Sequence, residues 1–286
     1  MDASMETTQA RTMTPQWATL AFGGVGVRVD LAHPHDLSLG FNFDGEDPRW
    51  FDAPHSHSEA LASGTFIGRV RDGGSCNCST ISLTPHCDGT HTESAGHLTR
   101  DRFDVREIMP AQLLPALLVS VTPAAARSTG ESSRPAPLDE DLLITRAALE
   151  RAWPAAPPFA PQALIVRTLP NPESKRQRDY RHQPAPFLSL PAAELLVERS
   201  IEHLVLDVPS ADRASDEGQM TAHREFFGLA PGESARSAVR RPQCTITEFA
   251  YIADVIADGA YLLGLQCAAL AGDALPSRPL LYPVRS

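Results

Sequence analysis

His86-Cys87-Asp88-Gly89-Thr90-His91-Thr92-Glu93-Ser94-Ala95-Gly96-His97 holds three of the chain's ten histidines, together with Asp88 and Glu93. Imidazoles and carboxylates at close, uneven spacing are what a divalent ion takes from an extended or turning backbone. A strand repeats every two residues, so His91 and Glu93 share one face of an extended segment. His97 follows a turn that Ser94, Ala95 and Gly96 permit. A helix is not expected here, because Gly89 and Gly96 disfavour it and no apolar stripe is present. A metal site in a large chain points to hydrolytic chemistry.

Upstream, Gly73-Gly74-Ser75 precedes a run from Cys76 to Leu83 whose residues predict a strand. That strand would deliver the chain straight into the histidine segment, on rigid scaffold. Trp17 to Leu39 reads as short strands and turns, and Asp44 to His57 as a polar loop bearing Trp50 and Phe51. Strands are also expected at Leu113–Val121, Ala163–Thr168, His203–Asp207 and Ala260–Leu270. Pro123 to Pro161 reads as a connector around a helix at Glu140–Arg151. Pro191 opens a second helix and Thr221–Leu229 forms a third. No repeat period is present. The pattern is α/β: a single domain with a central mixed β-sheet flanked by helices, over residues 16–286. Residues 1–15 form a flexible N-terminal arm in this reading.

Apolar residues make up 42% and charged residues 21% of the 286, enough for a sizeable core. The net charge of −10 opposes nucleic acid or an anionic membrane as partner. No run approaches the roughly 20 apolar residues of a membrane span. Met1–Gln16 lacks the apolar run of a secretory signal, so a cytoplasmic protein is expected. Five cysteines and no export signal oppose a disulfide framework. Cys76-x-Cys78 lacks the two-residue gap of zinc or thioredoxin-type pairs and reads as strand core. A thiol-redox role for Cys76, Cys78 and Cys87 is a competing reading. The paired spacing of His33, His35, His55 and His57 could bind metal, but in Pro-rich loops they read first as solvated or substrate-facing residues.

Gly89-Thr90-His91-x-Glu93-x-x-x-His97 resembles the signature of the cyclase family, to which bacterial kynurenine formamidase belongs. That signature is H-x-G-T-H-x-D-x-P-x-H. Asp36-Leu37-Ser38 resembles the family's opening strand, Asp207-x-Pro209-Ser210-x-Asp212 its D-x-x-S-x-D segment, and His223 the histidine that follows. Glu248 resembles its late metal-binding glutamate, and Pro276-Ser277-Arg278-Pro279 its closing turn. Three departures stand out. Cys87 occupies the place of the first histidine, with His86 one residue earlier; Glu93 replaces the aspartate; Ala95 replaces the proline.

The resemblance implies the family's swivelling β/β/α fold and a metal-dependent hydrolase with one or two divalent ions, Zn2+ or Mn2+. Ligands would come from His86, His91, Glu93, His97, His223 and Glu248, with Cys87 the rival of His86. His97 and Glu248 would act in catalysis, His97 as a proton shuttle. Trp50 and Phe51 are candidates to line a pocket for a small-molecule substrate. Asp207 is a candidate to orient a ligand histidine. The family also implies a homodimer or higher homo-oligomer. Against the hydrolase stands a non-catalytic metal-binding or sensing module of the same fold, suggested by the three departures.

Overall fold

The apolar runs become the strands of one large sheet in the computed structural model, which describes residues 14–22, 24–43 and 45–285. The expected N-terminal arm lies almost wholly outside the described residues. In chain order the strands of this sheet are β1 (Trp17–Phe22), β2 (Val25–Asp30), β3 (His35–Asp36), β4 (His91–Glu93) and β5 (Leu114–Val121). They continue with β6 (Ala163–Thr168), β7 (His203–Leu206), β8 (Thr245–Glu248), β9 (Gly259–Cys267) and β10 (Ala274–Arg285).

Strands β5, β6, β7 and β8 run parallel to one another. β9 is antiparallel to β5 and to β10. Short β4 pairs antiparallel with both β8 and β10. The mixed sheet therefore closes on itself, in the order β10–β9–β5–β6–β7–β8–β4 and back to β10, with β4 as the closing stave. The β1–β2 hairpin extends the sheet beyond the end of β10.

Burial explains why the central strands read as continuous apolar runs rather than alternating ones. Leu117, Val119 and Val121 of β5 and Leu164 and Val166 of β6 face one core cluster with the helices. Their neighbours Ala116, Leu118, Ala163 and Ile165 face another, with Leu263, Leu265 and Leu281. Helices α1 (Arg146–Ala152), α2 (Leu190–Glu198) and α3 (Thr221–Phe227) supply the first cluster's other half. Thr145 and Ser189 cap α1 and α2 by accepting the N–H of Ala148 and of Ala192. No helix among the described residues is long and apolar enough to cross a membrane.

Three local expectations need correction. The helix expected over 140–151 is a strand at Leu142–Ile144 followed by α1, because Thr145 takes the N-cap and starts the helix there. The strand expected over 76–83 shrinks to Ser79–Ser82, exposed along its length and paired with His57–Ala60. Cys76 and Cys78 are exposed, so they are not strand core. The histidine segment also contains a helical turn, Pro85–Asp88, where Pro85 supplies a preset φ at the first turn. The approach to β4 is thus a turn and not a straight strand.

Candidate metal centre

The parallel strands β6, β7 and β8 end near one another, and the carboxyl ends of parallel strands are where such sheets place ligands. Glu248 is the last residue of β8, and its strand partner in β4 is His91. This register sets His91 Nε2 at 3.4 Å from Glu248 Oε2. Glu93 stands two residues further along β4, on the same face as strand periodicity predicts. Its carboxylate belongs to two convergent groups, one with His86 and His97 and one with His91 and Glu248, each within 4.8 Å. His97 is carried on a 3-10 turn, Ala95–Leu98, capped by Ser94. Gly96 is required there, since a Cβ would meet the Phe103 carbonyl oxygen at 2.4 Å.

His223 enters from α3. Its Nε2 lies 2.9 Å from Glu93 Oε1 and 3.4 Å from Glu248 Oε1. Its Nδ1 lies 2.7 Å from Asp212, whose carboxylate also accepts the N–H groups of Ala222 and His223. Asp212 thereby fixes the first turn of α3 and the histidine on it.

All six proposed ligands meet in one place, although they are scattered from 86 to 248 along the chain. His86 reaches the cluster: its Nδ1 is 3.3 Å from Glu93 and its Nε2 3.2 Å from Asp273. Cys87 belongs to neither convergent group. It is buried, and burial first, with the Asp88 charge second, pushes its thiol pKa up to about 11. Asp207 lies elsewhere. It accepts from Thr168 and pairs with Lys175 at 2.8 Å in a buried ion pair, so the carboxylate that orients a site histidine is Asp212 instead.

Asp273 was not anticipated. Its Oδ2 lies 3.2 Å from His86 and 3.5 Å from His97. It precedes β10 by one residue, and no local pattern marks it.

Whether a metal fits is decided by the nitrogens. His91 Nδ1 is 3.0 Å from the Gly89 carbonyl oxygen, which can only accept. His223 Nδ1 is likewise taken by the Asp212 carboxylate. In each neutral ring, Nδ1 then carries the proton and Nε2 presents a lone pair toward carboxylate oxygens. Lone pairs facing lone pairs repel unless a cation lies between them. His91 Nε2 and both oxygens of Glu93 are buried without a hydrogen-bond partner, and the 2.9 Å contact of Glu93 with His223 lacks hydrogen-bond alignment. Two imidazoles and two carboxylates are an ordinary donor set for a hard or borderline divalent ion. The residues fit the group.

With no ion bound, the same atoms must share protons. Burial would raise the Glu93 pKa, but the imidazoles of His97 and His223 hold it well below the carboxylate range. Burial would lower that of His223, yet Glu93 and Asp212 lift it well above the usual range. For His86, burial is likewise outweighed by Asp273 and Glu93, and its pKa rises to about 10.

A narrow cleft of about 110 Å3 opens onto this cluster, bordered by Trp50, Phe51, His97, Arg213 and Met220 among others. Trp50 is buried and Phe51 is half exposed, the two rings 4.9 Å apart. Phe51, Met220 and Phe249 all have positive φ, although none is glycine. Such backbone conformations cost about 1–3 kcal/mol each and collect where a site is held in place by its surroundings.

The fold and the buried carboxylate–imidazole cluster place the chain in a defined class. The cyclase family model matches residues 29–213, and the chain belongs to that family. His223 and Glu248 lie beyond the matched segment. Among solved structures, one called a predicted metal-dependent hydrolase from Bacillus stearothermophilus is 17% identical, with 87% of this chain and 98% of that chain covered at a TM-score of 0.54. An isatin hydrolase bound to the product analogue thioisatinate is 13% identical, covering 88% and 93%, at a TM-score of 0.56. Isatin hydrolase A from Ralstonia solanacearum is 15% identical, covering 87% and 91%, at 0.57. At these identities the likeness is one of fold. No curated protein matches the chain.

Proposed function

We propose that the protein is a metal-dependent hydrolase that cleaves an amide, a formamide or a cyclic amide or ester, with chemistry like that of kynurenine formamidase. One observation supports this most: His91 and His223 each spend Nδ1 on an acceptor and turn Nε2 toward Glu93 and Glu248. His91, Glu93, His223 and Glu248 would hold one divalent ion, Zn2+ or Mn2+. Glu93, shared with His86 and His97 in a second convergent group, would let those residues hold a second ion. A divalent ion there supplies a Lewis acid for a carbonyl and lowers the pKa of water from about 16 toward 7.

The protein's own groups have separable tasks. Glu248 Oε1 accepts the Ala211 N–H at 2.7 Å, which fixes its carboxylate while Oε2 faces His91. His97 is part-exposed at the cleft, with Nδ1 toward Asp273, leaving Nε2 to carry a proton to the leaving group. Trp50 and Phe51 border the cleft with their rings 4.9 Å apart and would give a substrate an apolar contact there.

The test is hydrolysis of a panel of aryl formamides, lactones and cyclic imides by chelated and by Zn2+- or Mn2+-reloaded protein. The reading expects rates above buffer on at least one class, lost on chelation and recovered on reloading. Loaded protein no faster than buffer on every class would remove it.

A further inference from the structure

Arg213 follows directly on Asp212, the carboxylate that holds His223. It borders the narrow cleft over the metal centre, and it also borders a second, larger cavity of about 420 Å3. The two cavities adjoin across Trp50, Arg213 and Ala214. The larger one has an apolar wall of Trp50, Tyr180 and Phe187, all buried. Trp50 and Tyr180 meet edge to face at 6.4 Å, so the wall is a built surface.

The charges around this boundary are mostly committed. Arg181 is held by both oxygens of Asp179. Glu140 pairs with Arg127. Asp216 accepts the N–H groups of Gly218 and Met220. Arg213 is committed at one edge only: its Nε lies 3.0 Å from Asp141, and its two terminal nitrogens make no hydrogen bond or ion pair among the described residues. Its side chain is 19% exposed. A guanidinium has five donors in a planar fork, matched to a carboxylate by two parallel bonds. A single ion pair at one edge orients that fork without using it up. A largely buried cation with unspent donors, set between an apolar wall and a reaction centre, is suited to hold an anion on a ligand.

We propose that Arg213 is a specificity-determining residue that binds a carboxylate on a ring-bearing substrate, with the ring against Trp50, Tyr180 and Phe187. This rests on the hydrolase reading for the word substrate, but the binding of the anion is separable from catalysis. The substrate class is then an aromatic or otherwise flat amide or ester that carries an acid group apart from the bond to be cleaved.

The experiment measures binding of phenylacetate and of its neutral isostere phenylacetamide to the full chain by calorimetry, in metal-loaded and chelated protein. Wild type should bind phenylacetate at least tenfold more tightly in both forms. In Arg213→Gln the ratio should fall to near one, and in Arg213→Lys, which keeps the charge but not the fork, it should be intermediate. Circular dichroism of each variant checks that it is folded. A preference that survives in Arg213→Gln assigns the anion to the metal or to another cation and overturns the proposal. So does wild-type protein that binds both probes equally or not at all. The hydrolase reading is judged apart from this, by the rate of loaded wild type on the panel above. Binding preference without any hydrolysis would leave Arg213 an anion site and remove the enzyme reading alone.

Discussion

At the scale of single residues, the centre is governed by which nitrogen of each histidine is spoken for. Gly89 and Asp212 each occupy an Nδ1, and the opposite nitrogen is thereby directed at Glu93 and Glu248. Partners behind a ligand histidine tune metal affinity by about 10–100-fold. Asp212→Asn should therefore weaken Zn2+ or Mn2+ binding by that order, measured by competition with a chromophoric chelator. Unchanged affinity would show that His223 is not a ligand or needs no orientation. The side chains that converge were legible in the sequence, and the partners behind them were not. His91, Glu93 and His97 announce themselves by spacing, and His223 and Glu248 by the family's order of motifs. What was not legible has a physical reason. Asp273 meets His86 and His97 only because β10 folds back beside β4, a contact between residues 187 apart in the chain. Asp207, directly after β7, is taken up by Thr168 and Lys175, whereas Asp212, five residues on, meets the first turn of α3, and the motif quotes both without distinguishing them.

At the scale of elements, strand periodicity and end signals carried most of the information. The apolar runs expected at 113–121 and 163–168 became strands at Leu114–Val121 and Ala163–Thr168, because strands buried on both faces read as apolar stretches of strand length. The four-residue turn Pro85–Asp88 was missed because it is too short to show an apolar stripe, and the expectation of extended backbone there came from its glycines. Strand β7 carries its own test. His203 is buried at its start, with Nδ1 2.9 Å from Thr245 Oγ1, and burial pushes its pKa from 6.5 down to about 4. Above pH 6.5 the ring is neutral in both folded and unfolded chains, and no dependence arises. Below 6.5 the unfolded chain takes up a proton that the folded chain refuses, so stability falls until about pH 4. The loss attributable to this group approaches ~3 kcal/mol. Urea unfolding of wild type and His203→Gln across pH 7 to 4 reads it: the variant should have the shallower slope in this window. Parallel slopes would contradict the assignment.

At the scale of the whole molecule, ring closure is what turns a distributed sequence into a site. β4 is only three residues long, yet it pairs on both sides, to β8 and to β10. Through it, His91 is set opposite Glu248 on one flank, and Glu93 opposite Ala274, the neighbour of Asp273, on the other. The α/β class and the mixed sheet were readable from alternating elements, whereas closure was not, since no single strand encodes a pairing with both of its neighbours. The account stands on the claim that this closed sheet holds a divalent ion between the β4 and β8 carboxylates. Anomalous X-ray diffraction from crystals grown with Mn2+ or Zn2+ tests it most directly. The account predicts a peak at the metal's absorption edge within about 2.0–2.3 Å of His91 Nε2, His223 Nε2 and oxygens of Glu93 and Glu248. No peak there at saturating metal, with His91 and His223 bonded instead to the two carboxylates, would contradict it.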